Sequence, residues 1–416
     1  MKKITLVLGF MCCVLKIQAQ DTTHISLDKL LQQVETNYPS ILQFQHNIET
    51  LQSKADGARA WMPPTFSTGL MRWPYSLSEP NEENDPMRQA GVAFSLEQMI
   101  PNPSKLNARE DYINSLANVE ESKREWAKNE LRRDAKILYS NRYVAEKKQN
   151  VLKESEELLK LLIETAEEKF SNNQSQLQTI YKAKARLAEL SNMQLMLDGI
   201  IAESNIGLNV LMVRDVGMPF KIDTLIALHN YSINPTGTKN VSNRSDVTAL
   251  SKSINSMKLE QRVMKIGVRP DFGIRVEHMQ MIGMPNQWSV MGMVTIPIAP
   301  WSSKMYLSET RSMGSQIQSM EKERQTMELM ASRNISEKLT MLSYESALYK
   351  NYNENIISAY ENNLQATLLA YRQNTGDFIE LLDAWEMLLM KRFEAYDKLL
   401  NILKLETEYE YEKEIR

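Results

Sequence analysis

The sequence has few of the residues that interrupt helices, and long stretches have none of them. The 95 residues from Ser104 to Asp198 contain neither glycine nor proline. After Pro300 there is no further proline, and the only glycines are Gly314 and Gly376. Both regions are rich in Ala, Leu, Glu, Lys, Gln and Arg, which propagate helices well. The sequence therefore predicts very long α-helices in two separate regions.

These helices are too long to be buried in an ordinary globular core. A helix from Ser104 to about Phe170 would be roughly 100 Å long at 1.5 Å per residue. Apolar residues recur along it at spacings of three and four, as in Leu158, Leu159 and Leu162. We therefore expect the long helices to pack against each other along their length, as helices do in coiled coils.

Residues that usually carry catalysis or bind metals are also scarce. The chain has two cysteines and four widely scattered histidines. It has no glycine-rich phosphate loop, no His-Glu-x-x-His zinc motif and no Gly-x-Ser-x-Gly nucleophile elbow. We predict that the protein is not an enzyme and needs no cofactor.

The first 19 residues have the pattern of a secretory signal peptide. Lys2 and Lys3 precede a short apolar run, and Ala19 precedes a polar sequence. The apolar run is too short to span a bilayer as a helix. Both cysteines lie in this segment, so the mature chain would have no thiol, although lipid attachment at one of the two cysteines stays open.

The charge balance and hydropathy exclude further classes of protein. Removing the signal peptide takes away three lysines and no acidic residue, which moves the net charge from −3 to −6. An acidic chain is repelled by the negatively charged phosphate backbone, so no nucleic-acid partner is expected. Beyond the signal, no run approaches the roughly 18 apolar residues of a transmembrane helix. Membrane strands, which alternate and give a faint hydropathy signal, stay open.

Two shorter regions, at about 64–97 and 270–297, predict β-hairpins. Each has two segments of alternating apolar and polar residues that flank a loop or turn, 76–86 in the first and 283–286 in the second. Four of the six tryptophans lie in or beside these regions: Trp61, Trp73, Trp288 and Trp301. Surface strands of a soluble sandwich could carry them, but aromatic girdles at the edges of a membrane barrel explain their position at strand ends better.

The two halves of the chain repeat one pattern. Each has a first helix, at about 26–61 and 245–267, then a hairpin, then a very long helical hairpin. We infer a duplicated unit, with residues 20–217 as the first repeat and 244–416 as the second. The segment 218–243, which contains prolines and a glycine, would be the linker.

This ordered recurrence resembles the TolC-type outer-membrane efflux channels across essentially the whole mature length. The residues that carry the resemblance are the Pro-x-Phe strand starts at Pro64 and Pro270, the opening that ends in Asn37-Tyr38-Pro39, and the segment YRQNTGDFIELLDA at 371–384. The resemblance implies a mainly α fold with a membrane β-barrel. In it, three chains share a twelve-stranded barrel, with four strands from each chain, above a twelve-helix periplasmic tunnel.

The resemblance also implies a site at the periplasmic tip of the helices. In the family, two acidic residues at the tip narrow the tunnel, and they correspond to Glu380 and Asp383. Their spacing of three places both on one helix face, so a trimer would form a ring of carboxylates. Tyr371 corresponds to a tyrosine that helps hold the tip closed. The family arginine expected a few residues later is replaced by Gly376, and the matching positions in the first half are Thr179 and Lys182.

Methionine is unusually frequent, with 25 in the chain and five in the second hairpin. Alternation places Met279 and Met281 on the side of Arg275 and Glu277. On the next strand it places Met291 and Met293 on the opposite side from Val290, Gly292 and Val294. If this polar side faces a lumen, these four methionines with His278 nearby could bind soft cations such as Cu(I). The alternative is that methionine simply fills space, because its side chain adapts to irregular gaps.

The resemblance implies a passive exit channel in the outer membrane of a Gram-negative bacterium, with a large periplasmic portion. A homotrimer surrounded by outer-membrane lipid would work with a periplasmic adaptor protein and an inner-membrane efflux pump of the RND type. The cargo would be drugs or heavy-metal cations. Two alternatives stay open: an exit channel for type I protein secretion, and an exported coiled-coil structural or adhesion protein without a pore.

Overall fold

The computed structural model describes residues 24–73, 90–172, 176–229, 231, 241–297 and 299–415. The predicted signal peptide and the loop at 76–86 therefore lie outside the described residues, as do residues 230 and 232–240 of the predicted linker. The chain divides into two compact units. Unit 1 comprises Met1–Gln33, Ala135–Leu228 and Tyr352–Leu400; unit 2 comprises Val34–Asp134, His229–Asn351 and Asn401–Arg416. Each unit takes segments from both halves of the sequence, so compact packing does not follow the predicted repeats.

The first half consists of helices on either side of a pair of strands. Its elements are α1 (Leu27–Asn37), α2 (Pro39–Asp56), a 3-10 turn (Gly57–Arg59), β1 (Thr65–Met71), β2 (Gly91–Ile100), α3 (Pro103–Ser171) and α4 (Leu177–Leu211). The first helix, predicted as one element over about 26–61, is divided between α1 and α2. The division falls at Tyr38, whose ψ is 130°, because the residue before a proline is disfavoured in the helical conformation.

The second half follows the same order. Its elements are α5 (Ser245–Gly267), β3 (Asp271–Met281), β4 (Gln287–Thr295), α6 (Pro300–Asn351), a π-helical segment (Tyr352–Ile356), α7 (Ile357–Arg372) and α8 (Phe378–Lys413). None of the helices in the described ranges is long and apolar enough to cross a membrane.

Unit 1 is held together by a core shared among segments of α3, α4, α7 and α8. Leu159 of α3, Ala183 of α4 and Leu381 and Leu382 of α8 are fully buried in it. The indole Nε1 of Trp385 donates to the Ser155 carbonyl at 3.2 Å, so the largest core side chain also satisfies its polar atom. This core fixes α8, the helix that carries both predicted aperture carboxylates.

Unit 2 contains the sheet and a buried ionic cluster. The four strands are antiparallel in the order β1-β2-β3-β4, so the two hairpins join through β2 and β3. Arg244, just before α5, donates to Asp246 at 2.8 Å and also to Glu412 near the end of α8. Its guanidinium lies 4.8 Å from the centre of the Trp126 ring, a cation–π contact. The cluster therefore connects the end of the chain to the start of the second repeat.

Candidate functional site

The turn between α7 and α8 lies beside the predicted aperture residues. Asn374 has a left-handed φ of 58°, which asparagine adopts more readily than most residues. The backbone N–H groups of Thr375 and Gly376 donate to the Ala370 carbonyl at 2.9 and 3.2 Å. A Cβ at position 376 would lie 2.9 Å from the Ala370 Cβ. Glycine fits because the turn passes close over the end of α7, and the arginine expected from the family would need this turn to move.

Tyr371 lies in the last turn of α7 and is 5% exposed. Its ring packs edge-on against Phe378, the first residue of α8, with 5.3 Å between ring centres. Its hydroxyl is buried and has no hydrogen-bond partner among the described residues. Burial raises the pKa of this hydroxyl, and the charge of Asp377 adds to the effect. Tyr371 therefore anchors the turn through its ring.

Glu380 and Asp383 both lie on the exposed side of the first turns of α8. Leu381 and Leu382, which are fully buried, occupy the opposite side. The spacing of three therefore places the two carboxylates on one exposed face, as the sequence predicts. Whether this face lines an aperture stays a prediction.

The first turns of α4 supply two cations that pair with acidic residues of α8, one of them Asp383. The Lys182 Nζ lies 3.9 Å from the Asp383 Oδ1, and the guanidinium of Arg186 lies 2.8 Å from Glu386. Thr179 is buried and donates to the Gln176 carbonyl at 2.6 Å, which closes the first turn of α4. Sequence alignment of the halves identified Thr179 and Lys182, but the pairing of the two helices was needed to reveal the ion pairs.

Lys169, in the last turn of α3, is a further residue that the sequence did not single out. Its ammonium donates to the Tyr371 carbonyl and to the Asn374 Oδ1, both at 2.6 Å. The same nitrogen lies 3.9 Å from the centre of the Tyr371 ring. No local signal marks it, because a lysine near the end of a helix is ordinarily solvated.

The strand register decides which side chains share a face of the sheet. Arg275 pairs with Met291, and His278 pairs with Trp288. Because side chains alternate between faces, Met279, Met281, Met291 and Met293 lie on the face of Arg275 and Glu277, as expected. His278 lies on the opposite face, so the expectation that it accompanies the methionines is wrong.

The four methionines do not form one cluster. Met291 lies opposite Arg275, which is four residues from Met279, a separation of about 13 Å along the strand. Met293 instead approaches Met99 of β2 in the space above Gly273, which has no side chain. The Met99 Sδ lies 2.6 Å and the Met293 Cε 3.1 Å from the position that a Cβ of Gly273 would occupy. In the described ranges no three His, Cys, Asp or Glu side chains form a metal site. Soft-metal binding by these methionines stays a prediction.

The opposite face of the sheet is apolar and exposed. Val276 and Val290 are cross-strand partners that are 46% and 56% exposed, and Trp288 is 75% exposed. Phe66 and Phe94 stack on the same face with 6.5 Å between ring centres. Other exposed residues of this face are Leu70, Leu96, Phe272, Ile274 and Val294. Contiguous exposed apolar patches are typical of surfaces that interact with lipid or with other protein chains.

No family model matches the sequence, and comparison with curated proteins found no match. Solved structures do match. The outer-membrane channel OprN has a TM-score of 0.76 and 13% identity, over 93% of this chain and 89% of that one. The outer membrane protein VceC of Vibrio cholerae has a TM-score of 0.75 and 12% identity, over 93% and 95% of the chains.

The CmeC outer membrane channel of Campylobacter jejuni has a TM-score of 0.73 and 14% identity, over 93% of this chain and 85% of that one. At such identities the likeness establishes the fold. It confirms the predicted architecture of long helical hairpins with four strands in each chain. The chain therefore has the fold of the TolC-type outer-membrane efflux channels.

Proposed function

We propose that the protein is the outer-membrane channel of a tripartite efflux system, a passive exit duct for substrates that an inner-membrane pump delivers. The observation that carries this proposal is the sheet, which has one exposed apolar face. Among the described residues, its outer strands β1 and β4 pair only with their inner neighbours. Lipid does not tolerate unpaired strand edges, so the sheet needs further strands to complete it.

A homotrimer supplies those strands. Three copies contribute four strands each to one closed barrel, with the apolar face toward lipid. The long helices of the three copies then enclose a water-filled tunnel in the periplasm. The likeness in fold to solved outer-membrane channels supports this arrangement.

The helical tip is the proposed aperture and the place where a periplasmic adaptor docks. Glu380 and Asp383 face the tunnel in this proposal, and a trimer brings six carboxylates together. Lys182 lies 3.9 Å from Asp383 and neutralises part of this charge, although an exposed ion pair of this length contributes little stability. Glu380 has no such cation beside it within the described residues, so we assign most of the cation preference to Glu380.

Recording from the purified trimer in a planar lipid bilayer tests the proposal, together with a mass measurement of the oligomer in detergent. We expect a trimer that conducts and prefers cations. Glu380→Gln combined with Asp383→Asn should change both conductance and cation preference. A stable monomer that needs no detergent would overturn the proposal.

A matched pair of substitutions tests the lipid-facing side of the sheet. Val290 and Met291 are neighbours on β4 and lie on opposite faces. Val290→Lys should greatly reduce assembly in the outer membrane, because a lysine facing the middle of a bilayer costs about 2–4 kcal/mol. Met291→Lys should be tolerated. Equal tolerance of both changes would instead favour an exported coiled-coil scaffold without a pore.

A channel dedicated to type I protein secretion is the remaining alternative. It would share the barrel, the tunnel and the aperture, because the pump selects the cargo. Deleting the gene and measuring both drug or metal tolerance and the secreted proteins separates the two. We expect lower tolerance with unchanged secretion.

A further inference from the structure

We propose that Lys169 is a positioning residue that holds the tip of the α7–α8 hairpin in its closed geometry. We also propose that the buried Tyr371 hydroxyl destabilises this closed geometry. This inference rests on the proposed function, because it concerns the turn before the proposed aperture. It differs from what the resemblance implies, in which the tyrosine itself helps to hold the tip closed.

Lys169 holds the turn through three contacts. Its ammonium donates to the Tyr371 carbonyl and the Asn374 Oδ1 at 2.6 Å each, and both bonds gain strength because the donor is charged. It also lies 3.9 Å from the centre of the Tyr371 ring, within the range of cation–π attraction. Lys169 belongs to α3, so these contacts tie the tip of the first helical hairpin to that of the second.

The Tyr371 hydroxyl has the opposite effect. It is buried without a hydrogen-bond partner among the described residues, and an unsatisfied buried donor destabilises the state that buries it. The hydroxyl is already enclosed within one chain, so a neighbouring copy could reach it only if the side chain moved. Movement of the α7–α8 turn away from α3 would break the Lys169 contacts and expose the hydroxyl to water.

The two residues are therefore expected to have effects of opposite sign. Lys169→Met keeps an apolar side chain of similar length and removes the charge and its hydrogen bonds, so it should raise the ratio of open to closed tips by roughly tenfold. Tyr371→Phe keeps the ring and the carbonyl contact but removes the unsatisfied hydroxyl. It should lower the same ratio by roughly fivefold.

Two measurements on the full-length oligomer test this inference. The first is hydrogen exchange at the backbone amides of Thr375 and Gly376, which donate to Ala370 across the turn; it requires no channel activity. The second is open probability in a planar bilayer. The matched control is Lys184→Met, which removes an exposed ion pair with Glu167 at 2.7 Å and leaves the turn contacts intact.

We expect faster exchange and a higher open probability for Lys169→Met, partial recovery with Lys169→Arg, and a wild-type result for Lys184→Met. Asn374→Gly tolerates the left-handed backbone and removes one acceptor, so it should have an intermediate effect. For Tyr371→Phe we expect slower exchange than in the wild type.

The inference is overturned if Lys169→Met behaves like Lys184→Met, or if Tyr371→Phe opens the tip. If no variant and no wild-type sample conducts, the proposed function fails, while the exchange data still decide the role of Lys169. Thermal melting of each variant separates an opened tip from a protein that has lost its fold.

Discussion

The two long helical hairpins share one sequence pattern, but they differ in the arm that descends to the tip. In the first half this arm is α3, which runs unbroken for 69 residues. In the second half it consists of α6, the π-helical segment Tyr352–Ile356 and α7. Hydrogen bonding of the π type locally widens a helix and occurs often at functional sites. The second arm is therefore the less regular of the two, and it is also the arm that leads to the proposed aperture.

The tips differ in charge as well. The first turns of α4 carry Lys182 and Arg186, while those of α8 carry Glu380, Asp383 and Glu386. Two cross-helix ion pairs join the sets, at 3.9 and 2.8 Å. The two halves share a common core but have opposite charges at the tip. The basic residues of the first half therefore partly neutralise the acidic residues of the second.

The largest effect should come from the core that both halves share. Leu159→Ala in α3 and Leu381→Ala in α8 should each destabilise the protein by about 2–5 kcal/mol, because both side chains are fully buried. Leu161→Ala, at a position that is 51% exposed, should cost less than about 1 kcal/mol. Denaturant unfolding followed by circular dichroism measures the three. A mild effect at only one of the buried sites would mean that the halves are not equally packed.

Reversing the charge of Lys182, at the first tip, should reduce the difference in charge between the tips of the two halves. Lys182→Glu replaces a cation beside Asp383 with a further acid, so cation preference in a planar bilayer should increase severalfold over wild type. Glu380→Gln should lower this preference more than Asp383→Asn does, because Lys182 already offsets Asp383. Lys184→Glu serves as the control. If the two neutralised variants give the same currents, Lys182 does not moderate the site.

A smaller effect should follow from changing the π-helical segment. Tyr352 donates its hydroxyl to Glu394 at 2.9 Å. The hydrogen bond from Lys391 and the one from Tyr352 lower the pKa of Glu394, although partial burial opposes them. Tyr352→Phe should cost less than about 1 kcal/mol at neutral pH.

The pH dependence of this change has a definite sign. A lowered carboxyl pKa contributes stability that is present above the unfolded pKa of 4.5 and is lost as the pH falls through the folded value. The difference between wild type and Tyr352→Phe should therefore shrink below about pH 4. Thermal melting across this range measures it, and a gap that widens in acid would contradict the assignment.

The smallest effect is expected from the methionines of the second hairpin. Leucine substitutions at Met279, Met281, Met291 and Met293 should change copper or silver tolerance by less than about twofold, because four dispersed thioethers make a weak site. Leucine substitutions at Met99 and Met293 test the two methionines whose side chains approach each other over Gly273. A large loss of tolerance in either set would support soft-metal binding.

Much of the architecture was predictable because it depends on local signals. The absence of glycine and proline predicted α3 and α4, and the predicted helix 245–267 coincides with α5. The break at Tyr38 was missed because a proline is tolerated at the start of a helix, so Pro39 alone does not decide between a break and a kink. The π-helical segment gave no signal, since YNENI contains no residue that excludes an ordinary helix.

The candidate site was predictable only in part. Helical spacing was enough to place Glu380 and Asp383 on one face. The partners of the site were not predictable, because Lys169 and Tyr371 are 202 residues apart and meet only through packing of the hairpins. His278 lies close to the methionines in sequence but on the other face of the sheet, because adjacent strand residues point to opposite faces.

The open edges of the sheet have a consequence for the life of a newly made copy. Within the described residues, β1 and β4 are unpaired along their outer sides and lie beside an exposed apolar face, a combination that promotes fibrous aggregation. If the proposed homotrimer forms, rapid assembly with other copies would protect these edges from aggregation. We therefore expect overproduction of the chain to yield aggregated protein.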